Sequence, residues 1–274
     1  MNPPFSDQSR DRRIEDPTNL WLIHPASGTL LPWAVKRGIS ANAVSVTGLV
    51  LGACAATSYY HWPDWRFATL GLVFCVGWLI ADGLDGMVAR ATGTASALGR
   101  ILDGLCDHGV FSLIYIALAL SIGTWEGWAI GLAAAAAHAV QSSLYEGERA
   151  RYHRRLKGDA LPPPLPPLNN PLVRTYEAIA RSLDKAAAAF DARLAESPDP
   201  LRLIDRYREQ AARPMKTMAL LSSNMRVIAL YVACLAGDPI LFWWFEIIAL
   251  SPVALAGILW HRAAERVSAR PPEP

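Results

Sequence analysis

The chain has 274 residues; 52% are hydrophobic, 18% are charged, and the formal net charge is +2. Soluble domains usually carry about 25% charge, so this apolar excess rules out a disordered chain, and so small a net charge gives no argument for nucleic acid. The four cysteines, at 54, 75, 106 and 234, form no C-x-x-C pair and sit in apolar runs, which rules out a disulfide-stapled mini-protein. A membrane-embedded protein of one or two domains remains.

The first 20 residues are polar, contain Arg10, Arg12 and Arg13, and lack the apolar core of a signal peptide. Trp21 to Val35 mixes Trp, Leu and Ile, with Lys36 and Arg37 behind it. It reads as an interfacial amphipathic helix or as an ordinary linker. Six apolar runs follow. They are Ile39–Tyr60, Phe67–Ala81, His108–Trp125 (extendable back to about Ala97), Gly127–Tyr145, Thr217–Ala236 and Pro239–His261. A crossing helix needs roughly 20 apolar residues. Runs such as Ala133–Ala137 lack the alternation of a barrel strand.

Glu146 to Met215 separates the fourth run from the fifth. Ala160–Leu172 is too rich in proline for a continuous helix, while Val173–Glu196 and Leu201–Arg213 have helical spacing. The expected fold is all-α: a six-transmembrane-helix bundle with an N-terminal interfacial helix and a cytoplasmic helical insertion between spans 4 and 5. Its divisions are 1–37, 38–145 with the motif region 82–107, 146–215, 216–262 and a tail 263–274. With the N-terminus inside, the outer connections hold one Lys or Arg, Arg66, which places both termini in the cytoplasm. The expected location is a cytoplasmic membrane, such as the bacterial inner membrane.

The informative stretch is Ala81–Gly109. Asp82 and Asp85 are three apart and Asp103 and Asp107 four apart, so each pair shares a helix face. The two helices would be antiparallel neighbours whose four carboxylates converge near the cytoplasmic surface. Each charge at a helix centre costs roughly 2.5–3.5 kcal/mol on the insertion scale. Divalent cations offset that cost, and hard oxygen donors suit Mg²⁺, Mn²⁺ or Ca²⁺ rather than zinc. Cys106 and His108 should point to other faces. Arg90 either snorkels to the interface or binds a ligand phosphate, and the second is favoured.

The pattern is Asp82-x2-Asp85-Gly86-x2-Ala89-Arg90-x8-Gly99-x3-Asp103-x3-Asp107. It resembles the signature of the CDP-alcohol phosphatidyltransferase family, with every fixed position present. Eight fixed positions match by chance below roughly 10⁻⁸ per start site at ordinary residue frequencies. Asn42 is similar to the Asn of the family's N-x-x-T segment, but Ser45 stands where the family has Thr, and Ala41 where Pro is common.

The resemblance implies a phosphotransferase that joins an alcohol to a phosphate group from a CDP-linked donor and releases CMP. Asp82, Asp85 and Asp103 would hold two divalent metal ions, Mg²⁺ or Mn²⁺, with Asp107 beside them as general base. Gly86, Arg90, Gly99 and Asn42 would line the nucleotide and diphosphate. The expected donor is CDP-diacylglycerol and the acceptor a small polar alcohol, such as glycerol phosphate or inositol phosphate. The alternative is a CDP-choline or CDP-ethanolamine donor with diacylglycerol accepting. A homodimer is also implied.

His138, Gln141, Tyr145 and Arg149 are spaced three to four apart on the fourth span. Gln141, Tyr145 and Arg149 either line the acceptor pocket or mark a helix end grading into water. Arg226 and Glu246, on the last two spans, are expected to pair as a structural tie, since an isolated charge at that depth is improbable. Transport is the weaker alternative, because the outer half of the second span is apolar throughout. A catalytically dead scaffold is disfavoured by the complete acidic set.

Overall fold

The computed structural model describes residues 11–159 and 188–269, without the side chains of residues 97, 98, 100–103 and 105. Arg10, the Pro-rich stretch, residues 173–187 of one predicted insertion helix and the Asp103 side chain therefore lie outside the described residues. Among the described residues every regular element is helical.

A π-helical turn, Asn19–Ile23, runs into α1 (His24–Lys36). There follow α2 (Ala41–Tyr60), α3 (Trp65–Ala91), α4 (Ala97–Ile122) and α5 (Trp125–Leu156). Next are α6 (188–196), α7 (Pro200–Met218), α8 (Ser223–Leu235) and α9 (Ile240–Ser268), whose Phe245–Leu250 stretch is π-helical. Local chemistry sets the starts. Ser40, Asp64 and Ser96 cap α2, α3 and α4 by accepting from the backbone N–H of Ala43, Arg66 and Gly99. Gly123, at φ +70°, ends α4 in the left-handed conformation that glycine adopts without strain.

Among the described residues three helices are long and apolar enough to cross a membrane by themselves: α2, α3 and α9. A fourth crossing arises if Pro200–Leu221 and Ser223–Leu235, broken at Ser222, count as one. These helices make the chain an integral membrane protein. The six predicted runs all fall on helices, but length and composition alone do not bear out six crossings. In α4 the apolar part among the described residues is Cys106–Ile122. In α5 the run carries His138 and Gln141 and grades into charged turns after Tyr145.

The Trp21–Val35 segment is helical, but it lacks the polar face of an amphipathic helix. Its inner side is small (Ser27, Gly28, Ala34), and Trp21, Leu30 and Trp33 are exposed on the other.

The chain divides into two compact units. The first comprises Asp16–Gln141 and Leu221–Ser251. There α2 packs along both α3 and α4, and α1 and α8 pack on α3. Its core gathers Tyr59, Trp78, Phe111, Ile114, Leu118, Leu230 and Trp243. Gly52 permits the closest approach: a Cβ there would lie 2.2 Å from Val110 Cγ2. This contact brings α2 and α4 together one layer below the acidic turns.

The second unit takes in Ser142–Leu220 and the chain after Ser251. Here α7 buries Leu203, Ile204, Tyr207 and Ala211 along one stripe, and Leu201 is exposed. The guanidinium of Arg155 lies over the rings of Phe190 and Tyr207 and pairs with Asp191 and Glu265.

Candidate active site

The last turns of α3 carry Asp82, Asp85, Gly86 and Arg90. The first turns of α4 carry Gly99, Asp103 and Asp107. Three of the four predicted acids meet: Asp82, Asp85 and Asp107 line one open cleft with Ser45, Gly48, Trp78 and Cys106. The sequence suggested a site made by two helices. The structure adds α2 as a third wall, through Ser45 and Gly48.

Asp85 is buried, and Asp82 and Asp107 are half-buried. The Ser45 hydroxyl donates to Asp85 Oδ2 at 2.5 Å. The Trp78 indole N–H donates to Asp107 Oδ1 at 3.2 Å. Neutral groups thus reach two of the carboxylates and orient them. Cys106 was expected to face away but lines the cleft, because the wall contributed by α2 extends the site across more than one face of α4. His108 is exposed.

The predicted nucleotide residues flank this cleft and do not line it. Asn42 is exposed in the first turn of α2. A Cβ at Gly86 would lie 3.3 Å from Arg90 Nη1, so the Arg90 side chain folds back over that glycine. Gly99 is fixed by its N–H bond to Ser96.

The proposed acceptor residues are engaged elsewhere. Gln141 donates to the Glu246 carbonyl at 2.9 Å and to Ser251 Oγ at 3.0 Å, and it accepts from Arg226 Nη2 at 2.9 Å. Tyr145 is buried, and Arg149 pairs with Glu15 at 2.7 Å.

Arg226 and Glu246 do form an ion pair, with both side chains wholly buried. The tie is larger than two residues. Tyr115 donates to Glu246, and His138 Nδ1 lies 3.0 Å from both Glu246 Oε1 and Arg226 Nη1. Glu246 sits in the π-helical stretch of α9, where the ordinary backbone ladder is interrupted, and its carbonyl is the one that Gln141 meets.

A second acidic group lies in the other unit. Among the described residues, Glu148, His261 and Glu265 have ligand atoms all within 4.8 Å of one another, a spacing that would suit a metal ion. Arginines occupy that role instead: Arg151 and Arg262 pair with Glu148, and Arg155 and Arg262 pair with Glu265. Burial by itself would raise the Glu148 carboxyl. The hydrogen bond and charge of His261, with Arg151 and Arg262, more than offset it and hold the group at about 2. The cleft has the chemistry that fits Mg²⁺ or Mn²⁺: carboxylate oxygens facing an open space.

Residues 39–153, which include every residue of this cleft, match the family model for CDP-alcohol phosphatidyltransferase. They are a CDP-alcohol phosphatidyltransferase domain. Similar proteins include human cholinephosphotransferase 1, 32% identical over 111 residues, 40% of this chain and 25% of the relative. Chicken cholinephosphotransferase 1 is 29% identical over 113 residues, 39% of this chain and 32% of its own. Orangutan (Pongo abelii) ethanolaminephosphotransferase 1 is 23% identical over 121 residues, 39% of this chain and 29% of its own. The chain thus spans about a quarter to a third of the length of these curated relatives. No solved structure matches it. Within the phosphatidyltransferase domain, sequence reasoning missed Trp78. Its spacing four residues before Asp82, on the same face of α3, was the available signal.

Proposed function

We propose that the chain is a metal-dependent phosphotransferase that moves a phosphate-linked group from a CDP-alcohol to a hydroxyl acceptor and releases CMP. The observation that carries this is the cleft of Asp82, Asp85 and Asp107 inside the family domain. Asp82, Asp85 and Asp103 would hold two divalent ions, Mg²⁺ or Mn²⁺, with Asp107 beside them. When bound, these ions would neutralise the donor's diphosphate and the charge on departing CMP. Arg90, next to Gly86, would meet the same diphosphate.

Asp107 would accept the proton of the attacking hydroxyl. The hydroxyl oxygen forms a bond to the phosphorus distal to cytidine, the bond from that phosphorus to the bridging oxygen breaks, and CMP leaves with the electron pair. No covalent intermediate on the protein is needed.

Sequence reasoning favoured CDP-diacylglycerol as donor. The relatives' names favour the other arrangement, in which a CDP-aminoalcohol such as CDP-choline or CDP-ethanolamine donates and diacylglycerol accepts. We adopt that as the first reading and keep CDP-diacylglycerol with a small polar alcohol as the second. The two are separated by supplying purified protein, Mg²⁺ or Mn²⁺, and either CDP-choline or CDP-ethanolamine with diacylglycerol, or CDP-diacylglycerol with glycerol phosphate or inositol phosphate. CMP release in only the second mixture would reverse the choice, and release in neither would reject the activity. The reading also includes six crossings, a cytoplasmic cleft, and α1 at the interface with Trp21 and Trp33 against lipid. The exposure of those two rings supports the last of these.

A further inference from the structure

Trp78 is almost wholly buried, yet it lines the cleft. A buried indole N–H needs an acceptor, and the acceptor here is Asp107 Oδ1 at 3.2 Å. Three helices hold the ring. It stands on α3, four residues before Asp82 and therefore on the acidic face. On α2, Gly48 makes room for it: a Cβ there would sit 3.3 Å from the indole Cδ1. On α4, Phe111 meets it edge-on, with ring centroids 5.4 Å apart and planes at 83°. Phe111 lies four residues after Asp107, so the helix that carries the carboxylate also braces its donor.

We propose that Trp78 is a positioning residue for Asp107. This deepens the reading above and rests on Asp107 being the group that takes the acceptor's proton. A carboxylate turns easily about its last torsion, whose energy profile is broad. An N–H bond to Oδ1 fixes the plane of the group and hence the direction in which its second oxygen acts. An arginine would do the same but would also hold the carboxylate's charge in an ion pair. The indole orients it without supplying a counter-charge, which suits a base. A role confined to packing would instead make Trp78 one more ring in the core around Phe111.

The test uses the full-length protein with its tryptophans labelled at the indole nitrogen, together with steady-state CMP release. In Trp78→Phe, which keeps a ring but loses the N–H, kcat should fall about tenfold to a hundredfold, the scale of one lost hydrogen bond to a charged acceptor. The KM for the CDP-linked donor should stay within about twofold. A parallel loss of donor binding and thermal stability, or an unchanged kcat, would overturn the inference. The spectrum is independent of turnover. One indole signal, absent in Trp78→Phe, should move upfield in Asp107→Ala and hold its place in Asp107→Asn, whose amide oxygen still accepts. Should Trp78→Phe not fold, the two Asp107 variants decide alone, and a spectrum with no signal that distinguishes them overturns the bond. A wild-type protein that releases no CMP, but shows this spectral pattern, would reject the enzymatic reading and leave the geometric one standing.

Discussion

The cleft of Asp82, Asp85 and Asp107 and the knot of Glu148, His261 and Glu265 both gather acids away from water, but their neighbours differ. The knot is filled from within: three arginines and a histidine meet its carboxylates, and the group is closed. In the cleft a serine hydroxyl and an indole N–H orient two carboxylates, and the group opens on free space. Burying a charge is costly, and proteins meet the cost with a paired charge or with a metal. The knot uses the first solution and the cleft has the chemistry for the second. Tight convergence of ligand atoms is therefore a poor guide to function in this chain, because the group that converges within 4.8 Å among the described residues is met by its own arginines.

The largest expected effect separates the two groups directly. Asp107→Asn should lower CMP release by roughly 10²–10⁴-fold while donor binding persists, and Asp82→Asn should also remove the response to added metal. Glu148→Gln should leave the metal response unchanged. If Glu148→Gln abolished the metal response and Asp82→Asn did not, the roles assigned to the two clusters would be exchanged.

Next in size is the buried tie of the first unit. Arg226→Met strands Glu246 in a wholly buried site, and breaking such a pair costs about 3–5 kcal/mol. The double change to Met at 226 and Leu at 246 should recover most of that loss, read as the melting temperature in one detergent. A double variant as unstable as the single would mean that His138, Gln141 and Tyr115 depend on the ion pair for more than charge balance.

The knot also predicts a pH dependence. Glu148 is held at about 2, below its ordinary 4.5. Its contribution is therefore present in full above about pH 4.5 and is lost as pH falls toward 2. At about 1.4 kcal/mol per unit this amounts to about 3 kcal/mol. Amide exchange in α7 should accelerate over that window and stay flat from pH 6 to 8, and Glu148→Gln should remove the step. A step that persists in Glu148→Gln would place the titration on another carboxylate.

The acidic pairs were legible in the sequence because they are local: spacings of three and four on a helix fix a shared face before any packing is known. The Arg226–Glu246 tie was legible because an isolated charge in an apolar run demands a partner, and the neighbouring span offered one. What escaped was set by long-range packing. Nothing local shows that α2 walls the cleft, since that follows from Gly48 and Gly52 fitting against Trp78 and Val110. Gln141 fitted a polar stripe on α5, yet its partners stand more than 80 residues away on α8 and α9.

The smallest effect bears on the neutral donors themselves. Ser45 stands where the related signature has threonine, and its hydroxyl reaches Asp85 at 2.5 Å. Thr differs by one methyl and keeps the hydroxyl, so Ser45→Thr should preserve both metal response and turnover. Ser45→Ala removes a hydrogen bond to a charged acceptor, worth about 1.5–3 kcal/mol. The loss should appear as a rise of about tenfold or more in the metal concentration for half-maximal CMP release, with kcat at saturating metal changed far less. Trp78 and Ser45 would then divide the work, the indole acting on the proton-accepting carboxylate and the hydroxyl on a metal-holding one. If Ser45→Ala instead lowered kcat at saturating metal and left the half-maximal concentration alone, Asp85 would belong with Asp107 on the reacting side of the cleft.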